Sequence, residues 1–184
     1  MKKRILALVM IAVLAFGLTA CGKAADVAKD VIENQIENND SASSKKESEG
    51  TLTFEVPEGF TLDESQALYV SADGMGNINY QTLKNDGSFS AVTESLMEVS
   101  LESQLSAQMG EQLDITITEW IETEVDGYDA IDYTIEYTLS GIEIVQTQIV
   151  IDGTDNLHYL TFTQMAGADY ADAFAACEDS MKFE

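Results

Sequence analysis

Leu113-Asp114-Ile115-Thr116-Ile117-Thr118-Glu119-Trp120-Ile121 and, beyond Val125-Asp126-Gly127, Ile131-Asp132-Tyr133-Thr134-Ile135-Glu136-Tyr137-Thr138-Leu139 are two runs in which apolar and polar residues alternate, with Glu119 on the apolar side and Trp120 on the polar side of the first. A period of two belongs to half-buried β-strands, and the Asp-Gly between them makes the pair an antiparallel hairpin. A two-residue Asp126-Gly127 turn would set Ile121 opposite Asp132 and send one strand's apolar set to the wrong face. A three-residue loop with Gly127 left-handed instead pairs Ile121 with Ile131, Ile117 with Ile135, Ile115 with Tyr137 and Leu113 with Leu139, and that register is expected here.

Working outward, Ser140-Gly141 suits a two-residue hairpin that pairs Leu139 with Ile142 and leads into a strand over residues 142–151. Val145, Thr147 and Ile149 then share a face with Trp120. A further strand over residues 157–164, reached through a loop closed by Ile151 and Asn156, adds Leu160 and Phe162 to that face. Upstream, Leu52, Phe54 and Val56 line one side of a strand over residues 51–56, which Pro57-Glu58-Gly59 ends. Strands over 67–71 and 77–83 flank the loop Asp73-Gly74-Met75-Gly76. That loop opens a strand, whereas a phosphate-binding turn needs a helix N-terminus.

Two helices complete the pattern. One runs from a Ser90 cap to about residue 109 with Val92, Leu96, Met97, Val99, Leu101 and Leu105 as a broad stripe, and Gly110 stops it. The other starts at Asp169 and carries Tyr170, Phe174, Cys177 and Met181 on one side. With apolar rows on both sheet faces, the expected fold is α+β: an antiparallel sheet of about seven strands covered by helices on both faces, an α/β/α sandwich in the order βββαββββα.

The N-terminus carries an address. Lys2-Lys3-Arg4 precedes an unbroken apolar run over residues 5–16, which suits a signal peptide and is short for a membrane span. Leu18-Thr19-Ala20-Cys21 resembles the lipobox of bacterial lipoproteins, and the resemblance implies cleavage before Cys21 and acylation of its thiol. Residues 1–20 are thus the signal peptide, 21–50 the acylated Cys and a polar tether of roughly 30 Å reach, and 51–184 the domain. Val27, Val31, Ile32 and Ile36 could line one side of a short helix within the tether. The anchor expected is lipid on the extracytoplasmic side of a membrane, not a span.

Charge excludes one class of partner. Seven of the nine Lys and Arg residues and seven of the 33 Asp and Glu residues precede residue 51, which leaves the domain two cations against 26 acids. Such a field repels phosphate backbones, so no nucleic acid is expected as a partner.

Catalytic constellations are scarce. His158 is the only histidine, which excludes multi-histidine metal sites, and on a strand it reads as a packed residue. Cys177 lies on a buried stripe and reads as an inert thiol. Asp152-Gly153-Thr154-Asp155-Asn156 has calcium-ligand types but not the spacing of an EF-hand loop. No catalytic residue, metal site or cofactor is expected. One polar row does follow from the register: Glu119, Tyr133, Gln148 and Tyr159 cross an otherwise apolar face. Either it lies beyond the helix in water, or it floors a small ligand-binding pocket.

Phe54-Glu55-Val56-Pro57-Glu58-Gly59-Phe60, together with Phe174 and Ser180-Met181-Lys182-Phe183, resembles the opening turn and closing helix of the PsbP-like, or Mog/PsbP, superfamily. The resemblance spans residues 51–184. It implies an antiparallel sheet between helices. It also implies a role among extrinsic photosystem II subunits, binders of the small GTPase Ran, or bacterial lipoproteins mostly without assigned activity. No family functional residue maps onto this chain. The expected function is therefore a membrane-anchored, extracytoplasmic, non-enzymatic lipoprotein that binds a protein partner or assists an envelope complex. The alternative is a lipoprotein that binds a small ligand or a divalent cation.

Overall fold

A computed structural model describes residues 50–184. The expected signal peptide, Cys21 and the tether up to residue 49 lie outside the described residues. Eleven elements follow: β1 (Leu52–Thr53), β2 (Phe60–Asp63), β3 (Leu68–Ser71), β4 (Gly76–Lys84), α1 (Glu94–Met109), β5 (Thr116–Val125), β6 (Tyr128–Leu139), β7 (Ile142–Asp152), β8 (Asn156–Met165), α2 (Ala171–Asp179) and β9 (Lys182–Phe183). Seven strands make one sheet in the order β2-β3-β4-β8-β7-β6-β5, every neighbouring pair antiparallel. The chain is α+β.

The hairpins show where local chemistry decided and where it did not. Ser140 and Gly141 are both left-handed, at φ 52° and 81°, and Leu139 pairs with Ile142 as expected. Asp126 and Gly127 do the same, at φ 50° and 79°, so the β5–β6 turn has two residues and Val125 pairs with Tyr128. The three-residue loop is thereby corrected: Ile121 faces Asp132, not Ile131. A β-bulge between Ile117 and Glu119 absorbs the extra residue and restores the Ile117–Ile135 pair. Between turn and bulge the faces are exchanged, which leaves Ile121 43% exposed.

Two apolar clusters occupy the two faces of the sheet. Met97, Leu101 and Leu105 of α1 pack with Ile131, Ile135, Tyr137 and Ile144. Phe174 and Cys177 of α2 pack with Ile78, Ile149, Leu160 and Phe162. The stripe on α1 is narrower than the sequence suggests. Leu96 and Val99 stand 41% and 68% exposed, and the cap is Thr93, whose side chain accepts from the Leu96 amide. Ser90 sits in a 3-10 turn before it. Trp120 is a second correction, because the bulge turns it away from the Phe162 face and stacks it on Tyr133, 5.8 Å between centroids.

The ends of the domain meet. The expected strand over residues 51–56 shrinks to Leu52–Thr53 and leaves the main sheet to pair with Lys182–Phe183. Thr51 and Glu184 exchange backbone bonds of 2.8 and 3.0 Å, and Gly50 lies so near that a Cβ there would sit 2.3 Å from the Glu184 carbonyl oxygen. The place of this strand in the sheet is taken by β2, whose alternation Phe60-Thr61-Leu62-Asp63 is only four residues long. Gly76 has a similar reason to be glycine: a Cβ would lie 2.6 Å from the Tyr170 ring, whose hydroxyl donates to Asp73 at 2.6 Å.

Candidate functional site

The polar row expected from sequence forms only in part. Trp120, Tyr133, Gln148, Thr161 and Asn79 follow one another across β5, β6, β7, β8 and β4. Tyr133 donates to the Gln148 side-chain oxygen, and Gln148 donates through Nε2 to Thr161 at 2.6 Å. Tyr159 shares this face but lies one pleat along, opposite Val150. Glu119 does not join them. The bulge pairs it with Thr134, on the opposite face. The row is not in water either, since Tyr133, Gln148 and Thr161 are buried. Burial raises the Tyr133 hydroxyl far above its ordinary pKa and that of Tyr159 to about 12.

Beside this row the floor under α1 is more polar than the sequence indicates. Gln146 pairs with Thr163 in register, both fully enclosed, and neither the Gln146 amide nor the Thr163 hydroxyl finds a hydrogen-bond partner among the described residues. The cavity next to Tyr159, lined also by Ser88, Phe89, Val92 and Met97, measures about 10 Å³, the size of one water.

A larger concavity lies on the other face, at the β2 end of the sheet. Register sets Leu62 opposite Tyr69 and Tyr69 opposite Ile78, with Tyr80 two residues on. These side chains therefore share one face. Phe54 crosses from the β1–β2 connection and meets both rings edge-on, at 6.2 Å from Tyr69 and 5.9 Å from Tyr80. With Glu64 and Ala67 from the β2–β3 turn they line an open groove of about 440 Å³. Asp63 fixes that turn by accepting from Ser65 and Gln66, which hold its carboxyl below the usual range. The groove rings are held as well: the Tyr80 hydroxyl is 2.7 Å from Nδ1 of His158, and the His158 ring packs against Phe183.

The titratable groups of the expected sites are taken up elsewhere. His158 is buried between Tyr80 and Phe183. Cys177 forms no disulfide, and burial pushes its thiol up to about 12. In the Asp152–Asn156 loop, Asn85 donates to Asp152 and to the Gly153 carbonyl, while Lys84 lies 3.7 Å from Asp155. Among the described residues no group of three or more His, Cys, Asp and Glu side chains is placed to hold a metal ion. Glu178 on α2 faces Asp132, with Glu119 nearby. Burial first, then the Asp132 charge, raises Glu178 to about 7, and burial followed by Glu119 raises Asp132. No described helix is long and apolar enough to cross a membrane.

No protein-family model matches the sequence, and no curated protein does. Solved structures match its fold. The solution structure of cyanobacterial PsbP (CyanoP) from Synechocystis sp. PCC 6803 superimposes with a TM-score of 0.51 at 9% identity, covering 78% of this chain and 98% of that one. LpqN, described as involved in cell envelope biogenesis of Mycobacterium tuberculosis, matches with a TM-score of 0.43 at 14% identity over 82% and 95% of the two chains. A Bacteroides thetaiotaomicron structure matches with a TM-score of 0.46 at 9% identity. The match covers 72% of this chain but only 45% of that one. The likeness to CyanoP makes the fold PsbP-like and goes no further.

Proposed function

We propose that this chain is a lipoprotein, anchored through lipid on Cys21 to the extracytoplasmic face of a membrane, whose domain binds a protein partner or supports an envelope complex without catalysing a reaction. The observation that carries the reading is the groove of Phe54, Leu62, Tyr69 and Tyr80, an open aromatic surface at a sheet edge. Aromatic residues are the ones that dominate protein interfaces. A pocket for a small ligand or a divalent cation has less support. Tyr133 and Gln148 are buried and satisfy one another, and Glu119 stands on the far side of the sheet.

Two measurements test the reading. Radiolabelled palmitate should enter the wild-type chain and not Cys21→Ala, and photo-crosslinking from Leu62 in intact envelopes should capture a discrete partner. An unlabelled chain recovered from the cytosol with its leader intact would sink the proposal.

A further inference from the structure

Two edges bound the seven-stranded sheet, and they differ in what they offer a second chain. Strand β5 is bulged at Thr118 and carries Glu119, Glu122 and Glu124, devices that keep an edge from pairing. Strand β2 has neither a bulge nor a Lys, and among the described residues no strand lies on its outer side. Its Leu62 is 52% exposed and looks onto the rings of Tyr69 and Phe54.

Charge specifies the occupant. The domain has two cations against 26 acids, and both cations are tied, Lys84 to Asp155 and Lys182 to Glu184. The one acidic side chain lining the groove is Glu64. A field of this sign steers positive segments toward the surface, and ring faces attract ammonium and guanidinium groups.

We infer that the groove receives an extended cationic segment of a partner protein, which adds to the outer edge of β2 and lays a Lys or Arg side chain over Tyr69 and Phe54 beside Glu64. Main-chain pairing with β2 supplies affinity and the ring-lined groove supplies selectivity. The inference rests on the protein-binding reading above and deepens it.

The test uses the full chain in detergent micelles and a fluorescein-labelled octapeptide of alternating Lys and Val, followed by anisotropy at physiological salt. Saturable binding is expected, with no binding of the Glu/Val analogue. Leu62→Lys should weaken it about tenfold and Leu62→Glu should tighten it. Opposite effects at one exposed position cannot arise from misfolding, and Tyr69→Leu should weaken binding without changing its sign of charge dependence. Equal affinity for wild type and both Leu62 variants, or no saturable binding to the wild type, overturns the assignment. Envelope crosslinking from Thr61 separates the two readings. A partner captured equally by wild type and Leu62→Lys leaves protein binding standing and removes the groove, whereas capture by neither chain removes the protein-binding reading itself.

Discussion

The hydroxyl of Tyr80 and Nδ1 of His158 lie 2.7 Å apart, with their rings nearly parallel. A half-exposed groove residue is thus fastened to a buried core residue. Tyr80→Phe removes this bond and leaves Nδ1 enclosed without it, which should cost about 1–3 kcal/mol in denaturant unfolding. A midpoint unchanged by the substitution would show that the bond contributes nothing to the fold.

The pair of Glu178 and Asp132 makes stability depend on pH. Glu178 binds its proton more tightly in the folded chain, at about 7 against an ordinary 4.5. Its contribution is therefore complete below about pH 4.5 and is lost as pH rises through about 7. The wild type should melt at a lower temperature at pH 8 than at pH 5.5, and Glu178→Gln should show a smaller difference. Identical pH profiles for the two proteins would contradict the assignment.

Gln146 is enclosed with both side-chain polar atoms lacking hydrogen-bond partners among the described residues. Replacing such a group by an apolar one of similar shape removes a desolvation penalty. Gln146→Met should raise the unfolding free energy by about 1–3 kcal/mol, read from denaturant curves. A fall of the same size would mean that the amide is satisfied in solution.

Gly76 and Tyr170 are coupled by contact. Gly76→Ala drives a methyl into the Tyr170 ring and should destabilise the domain by about 1–3 kcal/mol. In a Tyr170→Ala background the same change should cost much less, and additive effects in the double-mutant cycle would refute the coupling.

Most strands were readable because alternation and turn chemistry agree. Ser140-Gly141 and the runs of β6, β7 and β8 need no tertiary information, and Ile117–Ile135 pairs as the pattern requires. What failed is one residue wide. The alternation breaks at Thr118-Glu119, two polar residues followed by the apolar pair Trp120-Ile121, and the bulge there moves Trp120 and Glu119 to opposite faces from those expected. The polar row lost Glu119 to that bulge and gained Thr161 opposite Gln148 through a β7–β8 pairing that closes at Asp152 and Leu157 instead of Ile151 and Asn156. The aromatic groove was hidden differently. Tyr69 and Tyr80 were legible as strand residues, but β2 was not, and Phe54 joins them only because the chain peels away to meet its own C-terminus. The parity of Leu62, Tyr69 and Tyr80 along a three-strand meander is the signal that would have found it.

That meeting of the ends has a mechanical consequence. Traction applied upstream of Gly50 is delivered first to the Thr51–Glu184 bonds and the short ladder behind them, Leu52 with Phe183 and Thr53 with Lys182, which opens like a buckle while the seven-stranded sheet stays whole. Phe54 is the next residue along, so a pull that opens this ladder would lift its ring off Tyr69 and Tyr80 and open one wall of the groove under load.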